Sequence, residues 1–177
     1  MYKLRELEER DLPTINKWRA DPELVAMLGG PFRYINPEVD RRWFDNYMNH
    51  RDSAIRCAIV TDQSDEILGL ASLTNIDRFN QSAQFHIMIG ANANQGRGAG
   101  SFAVKEMLRH AFFDMNLRRV ESTFLEDNTR SQHVCRKMGF VLEGVMREAA
   151  FKDGRFVNLA LYSILKSDFI EKMKESE

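Results

Sequence analysis

Seven consecutive residues carry the densest chemical signal in this sequence: Gln95, Gly96, Arg97, Gly98, Ala99, Gly100 and Ser101. They follow a strand-like run at 82–89 and lead into an amphipathic helical run at 102–113. Glycine lets a backbone approach a ligand closely, and the first turn of a helix presents unpaired N–H groups at the positive end of its dipole. That combination favours an anion, most often a phosphate. Arg97 and Ser101 can add donors. Two phosphate loops offer a direct comparison. The triphosphate loop requires GxxxxGK[ST], and Gly-Lys-Ser/Thr does not occur here. The dinucleotide fingerprint GxGxxG belongs on the first strand-to-helix turn, whereas the spacing here is GxGxG after several strands have passed. Glu121 falls about 20 residues on, where a ribose-binding acid belongs, so a nicotinamide-dependent oxidoreductase stands as one alternative.

These residues need elements to hold them. Residues 3–7 alternate as a short first strand. Asp11-Leu12-Pro13 opens a helix with Pro tolerated in its first turn. Ile15 and Trp18 follow at helical spacing, and Leu24, Val25 and Leu28 continue apolar until Gly29-Gly30-Pro31. Pro37 opens a second helix with Val39, Trp43, Phe44 and Tyr47 on one face. From Arg56 the period becomes two: strands at 57–61 and 67–76 flank a hairpin turn at 62–66. In the third strand, 82–89, Phe85, Ile87 and Ile89 share one face while Gln84, His86 and Met88 share the other. Within 102–113, Ala103, Val104, Met107, Leu108, Ala111 and Phe112 form one apolar stripe. Residues 119–125 form a strand, and a helix starts at Asp127-Asn128-Thr129 and stops at Gly139. Strands at 140–151 and 156–165 join at Lys152-Asp153-Gly154, where Asp-Gly favours a tight turn. The obvious parallel crossover runs from strand 82–89 through the helix to strand 119–125, and must be right-handed. This order is mixed α/β.

Composition narrows the options. A chain of 177 residues, 44% hydrophobic, is long enough for one domain over 1–177 with a sizeable core. With 25 Lys plus Arg against 26 Asp plus Glu, no overall charge draws nucleic acid or an anionic membrane. Arg118-Arg119 and Arg136-Lys137 are local basic pairs, ordinarily solvated surface and otherwise anion contacts. No apolar run approaches the ~20 residues of a spanning helix, and MYKLRELEERDL lacks the apolar core of a signal peptide. Cys57 and Cys135 suit neither a disulfide framework nor a metal site, and the 4 histidines are scattered, so no metal is expected. The compartment expected is a reduced, cytoplasmic one.

Several segments together resemble a known family. Gln95-Gly96-Arg97-Gly98-Ala99-Gly100 is similar to the Q-x-x-G-x-G acetyl-CoA pyrophosphate loop of the GNAT (GCN5-related) N-acetyltransferases. Asn128-Thr129-Arg130-Ser131, opening a helix that ends Arg136-Lys137-Met138-Gly139-Phe140, resembles the family's N-x-x-S…K-x-G-F element. Glu143-Gly144-Val145-Met146-Arg147-Glu148, Lys152-Asp153-Gly154-Arg155-Phe156 and Tyr162-Ser163-Ile164-Leu165 resemble the branch of ribosomal-protein-alanine and polyamine acetyltransferases. Lys17-Trp18-Arg19-Ala20-Asp21-Pro22-Glu23 fits the same branch. The resemblance spans nearly the whole chain.

It implies the GNAT acyl-CoA N-acyltransferase fold: a central, mostly antiparallel sheet with one splayed parallel strand pair, flanked by helices. It also implies transfer of acetyl from acetyl-CoA to a primary amine of a small molecule or peptide N-terminus, by direct attack in a ternary complex. A module that binds acyl-CoA without turnover is the competing expectation. By the same resemblance, main-chain groups of Ile87, Met88 and Ile89 hold pantetheine, with an N–H near Met88 or Ile89 polarising the thioester carbonyl. Residues 96–101 take the pyrophosphate. Asn128, with Ser131 alongside, contacts the pantetheine or sulfur region, while an N-cap role for Asn128 is equally natural. Many relatives carry Tyr seven positions after this Asn as an acid toward the thiolate; here Cys135 stands in its place. His86 is the leading base by position, since a neutral imidazole accepts an ammonium proton near pH 7, and Glu121 is second.

The same resemblance gives the acceptor side to the first two helices and the last strands. Arg33 and Tyr34, in the loop after Gly29-Gly30-Pro31, are the substrate-contact candidates. Glu38, Asp40 and Asp45 are the acids available to a polyamine, though no acidic cluster announces one. Relatives are often dimers, so a homodimer is an expectation from the family.

Overall fold

The computed structural model of the chain describes residues 1–90 and 96–175; Gln95 lies outside them. One seven-stranded sheet organises the molecule, in the order β1-β2-β3-β4-β5-β7-β6. Its strands are β1 Tyr2–Glu6, β2 Ile55–Thr61, β3 Ser64–Asp77, β4 Ser82–Ile89, β5 Arg119–Leu125, β6 Val141–Lys152 and β7 Arg155–Leu165. Neighbours pair antiparallel except β4 and β5, which run parallel through the expected crossover. The architecture is mixed α/β with the splayed parallel pair anticipated from the sequence.

The helices cover both faces. α1 (Leu12–Arg19), α2 (Pro22–Ala26) and α3 (Pro37–Asn49) precede the hairpins. The crossover is α4 (Ala99–Arg109), continued by one π-helical turn at His110–Asp114. α5 is Thr129–Lys137 and α6 is Lys166–Lys174. One apolar cluster packs Ala103, Val104, Met107, Leu108, Ala111 and Phe112, the whole stripe expected from spacing, against Phe85, Val120, Phe124 and Ile164. The second lies on the opposite sheet face, where Ile15, Trp18, Phe44 and Tyr47 cover Ala58, Val60 and Leu70. A Cβ on Gly90 would come within 2.3 Å of the Trp18 ring, so glycine is what lets α1 settle onto the end of β4.

Departures from the sequence reading have local causes. The first helix divides at Asp21, whose carboxylate accepts from the N–H groups of Glu23 and Leu24 and starts α2 afresh at Pro22. Asp11 stands just before α1, where the start signal placed it, but its side chain serves the short turn ahead of that helix, accepting from the Glu8 N–H at 2.9 Å. Its carboxylate is buried in a two-pronged pair with Arg5, at 2.8 and 2.7 Å. Val39 does not share the buried face of α3: it is 48% exposed, because that face is taken by its neighbour Asp40, fully buried in line with Phe44 and Tyr47. α6 was not anticipated, and it docks through one fully buried side chain, Phe169, against Phe112. The hairpin at Asp153-Gly154 has φ of +49° and +78°, the mirror-image turn that Asp-Gly prefers.

Candidate active site

The site begins where two strands part. β4 and β5 pair at Ser82↔Arg119, Ala83↔Val120 and Gln84↔Glu121, and no further. Just beyond, the Ser122 hydroxyl donates to the Phe85 carbonyl at 2.8 Å, the last bridge across the seam. That bond also sets the direction of the remaining main-chain groups. If the Phe85 carbonyl points toward β5, strand alternation points those of Ile87 and Ile89 the same way. Met88 turns the other way, toward β3, as does Gly90, whose N–H donates to Leu68 at 2.8 Å. Ile87 and Ile89 therefore bring backbone to the gap, while Met88 lines it without turning its main chain there, its side chain packing on the α1–α3 face. The expectation that all three would present main-chain groups is narrowed to two by the alternation.

The gap opens into a cavity of about 830 Å³. Ile87, Met88 and Ile89 form one wall and α5 the other, with Leu24, Met27 and Leu28 at the rim. At its far end lie Gly96, Gly98, Gly100 and Ser101. Gly96 and Gly98 adopt φ of +79° and +93°, which is why glycine stands at both. The first α-helical bond of α4 runs from the Phe102 N–H to the Gly98 carbonyl, so the N–H groups before Phe102 remain unspent by the helix. A Cβ on Gly98 would meet no atom within 4 Å. The turn is open, donor-rich and cavity-lining, which fits a pyrophosphate. Ala99 is buried beneath it, and Arg97 is exposed, its carbonyl accepting from the Tyr2 hydroxyl at 3.0 Å.

α5 supplies residues the sequence reading passed over. Arg130, His133, Val134 and Lys137 all line the cavity. Their spacing, three, four and seven positions on from Arg130, places them on one helical face beginning beside Asn128. That periodicity is the available signal; the sequence offers Lys137 as half of a basic pair and as part of the K-x-G-F element, without a ligand for it. Arg136 is otherwise engaged, donating to the Tyr162 hydroxyl at 2.9 and 2.7 Å and to Gln132 Oε1 at 2.9 Å. Asn128 caps α5 by accepting from the Ser131 N–H at 3.2 Å, and its amide donates to the Met27 carbonyl at 2.9 Å. Its side chain thus ties the α2 segment to the start of α5 across the cavity rim.

The three candidate catalytic side chains are separated. Cys135 sits on the cavity wall but is 1% exposed and packed in the main core. Burial pushes its thiol up to about 12. His86 does not line the large cavity; it lies on the α1–α3 face of the sheet, where Nε2 is 3.0 Å from Thr74 Oγ1. Its imidazole is held below its ordinary value by desolvation and by the charge of Arg56. Glu121 shares that face at the point where the strands part, accepting from Gln84 Nε2 at 3.1 Å and Arg119 Nη2 at 3.3 Å. Arg119 also holds Glu143, which accepts from Ser163 too, and the pair of donors draws that carboxylate down to about 2. Arg33 and Tyr34 line neither this cavity nor the smaller one beside α3. Tyr34 is 98% exposed, its ring edge-on to Phe32.

Comparison with known proteins agrees with this geometry. Residues 2–141 match the family model of the acetyltransferase (GNAT) domain. The uncharacterized N-acetyltransferase p20 of Bacillus licheniformis is 27% identical over 167 residues, covering 94% of this chain and 93% of that protein. The spermidine N(1)-acetyltransferase of Vibrio cholerae is 28% identical over 166 residues, covering 84% and 95%. The ribosomal-protein-serine acetyltransferase of Escherichia coli is 27% identical over 133 residues, covering 74% and 73%. Among solved structures, spermidine N-acetyltransferase from Vibrio cholerae in complex with CoA and spermine superposes with a TM-score of 0.88 at 25% identity, covering 96% of this chain and 98% of that one. The oxidoreductase alternative falls with these matches, since the glycine turn belongs to a different family of folds from the dinucleotide fingerprint. The chain belongs to the GNAT acetyltransferase family, and it is an N-acetyltransferase.

Proposed function

We propose that one domain spanning the chain transfers the acetyl group of acetyl-CoA to a primary amine by direct attack while both substrates are bound. The carrying observation is that β4 and β5 stop pairing at Gln84↔Glu121, directly above a cavity that ends at the open glycine turn. A long, narrow thioester fits that track: its diphosphate at residues 96–101, its chain along Ile87 and Ile89, its carbonyl near the strand divergence.

Each step uses residues already placed. Main-chain N–H groups at the glycine turn, with Arg130 and Lys137, bind the diphosphate. The N–H of Ile87 or Ile89 donates to the thioester oxygen as charge develops there, a contribution typically worth about 3 kcal/mol. The amine arrives from the opposite sheet face, where His86 and Glu121 stand. His86 is neutral near pH 7 and accepts a proton from the attacking nitrogen, directly or through one water, with Glu121 beside it. The C–N bond forms, the C–S bond breaks, and the sulfur leaves as thiolate. Cys135 is poorly suited to protonate it: moving a proton from a thiol near 12 to a thiolate of ordinary basicity, about 8.5, is uphill by roughly 5 kcal/mol.

The test is a screen of amines with acetyl-CoA, reading free thiol. Release that depends on both substrates, with Ile87-proximal binding of CoA shown by crystallography, is the expected result. Tight CoA binding without release for any amine would leave a non-catalytic acyl-CoA module instead. The family's dimers make a homodimer the expected assembly, which sedimentation would check.

A further inference from the structure

The acceptor face of the sheet holds one cation with no ion-pair partner among the described residues. Arg56 on β2, Ser72 on β3 and His86 on β4 are successive cross-strand partners, so their side chains rise from the same face in one row. The next row is Thr74, Gln84 and Glu121. The Arg56 guanidinium lies over the rings of Trp43 and Tyr47, 4.8 and 5.8 Å from their centroids. Its Nε is buried without a hydrogen-bond partner, and Nη1 has only the Ser72 hydroxyl, at 3.4 Å. Arg19, stacked on the same Trp43 at 4.3 Å, is by contrast neutralised by Asp40. A cavity of about 150 Å³ opens beside Arg56, bounded by Trp43, Asn46, Asn75 and Thr74, and Thr74 is the residue that also contacts His86.

The nearby acids are spent. Asp40 is fully buried on Arg19 and Asn16, Asp45 pairs with Arg41, and Glu38 pairs with Arg42. A polycationic acceptor would find no carboxylate in this cavity and would meet an uncompensated guanidinium instead. An acceptor that carries a carboxylate close to its amine matches the face: Glu121 and His86 stand at the strand divergence, and the Arg56 guanidinium reaches along its row to Ser72, the residue between Arg56 and His86.

We propose that Arg56, with Ser72 and the small cavity beside it, binds a carboxylate carried by the acceptor, so that the amine acetylated belongs to an amino acid or similar amino-carboxylate rather than to a polyamine. This rests on the acetyl-transfer assignment of the same cleft and names its substrate class. The guanidinium supplies the planar, charge-assisted recognition that suits a carboxylate. Trp43 fixes its plane, and the Nη donors, of which only one bonds to Ser72, are those that a bound anion would take up.

The experiment is calorimetric titration of the CoA-loaded protein with N-acetyl derivatives of glycine, alanine and methionine, each as free acid and as amide, and with N-acetylspermidine. At least one acid is expected to bind ten-fold or more tightly than its amide and than N-acetylspermidine. Arg56→Gln should remove that preference while leaving affinity for CoA unchanged, which also shows that the variant folds. Arg56→Lys should retain most of it. Acids and amides binding alike, none of the probes binding, N-acetylspermidine binding best, or an Arg56→Gln protein with the preference intact would each overturn the proposal. Because the readout is binding, it stands apart from the thiol-release screen: an acid preference without turnover would sink the catalytic reading and leave Arg56 as a carboxylate site alone.

Discussion

The ammonium of Lys152 donates to the Gly30 carbonyl at 2.7 Å, spanning 122 residues of chain, and to the Val25 carbonyl at 2.9 Å. It is 9% exposed, a buried cation at the tip of the last hairpin that closes the end of α2. Because Leu24, Met27 and Leu28 of that segment rim the large cavity, the hairpin determines where the rim stands. Burial lowers the pKa of the amine, while two of its three protons are taken by carbonyl oxygens.

Lys152→Met therefore takes the side-chain donor from the Gly30 carbonyl and leaves the Val25 carbonyl with backbone donors alone, the Leu28 N–H at 3.0 Å among them. The expected loss is about 1–3 kcal/mol, which for a chain of this size lowers Tm by roughly 2–4 °C per kcal/mol. The rim loosens as well, so the acceptor KM rises while CoA affinity, set mainly at the glycine turn, changes little. Unaltered melting by calorimetry would refute the link.

Gly98 sits at φ +93° with open space where a Cβ would point. Gly98→Ala should cost about 1–2 kcal/mol through backbone conformation alone, with no clash. Gly98→Asp adds a negative charge facing the diphosphate site and should abolish detectable CoA binding. Equal CoA affinities for the wild type and the Asp variant would contradict the placement of the diphosphate.

His86 sets a pH signature. A protonated imidazole cannot take a proton, and its folded-state pKa lies below the ordinary 6.5 because desolvation and Arg56 both disfavour the cation. The ratio of wild-type to His86→Gln kcat/KM, which cancels ionisation of the amine itself, should stay flat from mildly alkaline pH down to 6.5. It should then fall about tenfold per unit below the folded pKa, from a plateau of about 10². A ratio near one at all pH values would transfer the base role to Glu121.

Cys135→Ser tests the acid. With the thiol near 12, its removal should leave kcat within about threefold of wild type, while burial of a hydroxyl in the core costs stability. A hundredfold fall in kcat at unchanged KM would restore Cys135 as proton donor. The same burial should make Cys135 inert to thiol reagents at neutral pH in the folded protein.

Much of this was visible in the residues alone. The stripe from Ala103 to Phe112, the alternation across β4, the stop at Gly139 and the turn at Asp153-Gly154 are local patterns, and each formed where its period or its glycine placed it. α6 escaped because nine residues with one buried aromatic make too weak a stripe to announce themselves. Val39 was misassigned because the inward position of that turn belongs to Asp40, a charged residue that hydrophobic spacing passes over and that Arg19 neutralises. The cavity-facing side of α5 was legible in principle, at Arg130, His133 and Lys137, but only after the start of the helix was tied to a ligand.

By itself, then, the sequence determined the order of the strands and the glycine-rich helix entry, since backbone torsion preference and side-chain period act over a few residues. It could not say that Ile87 and Ile89, rather than Met88, turn main-chain groups to the gap, since that depends on the direction of one bond from Ser122. Nor could it say that Asp40 would neutralise Arg19 and leave Arg56 unpaired, or that Lys152 would hold Gly30. Charge compensation and register are settled between residues far apart in the chain, so only the packed tertiary structure decides them.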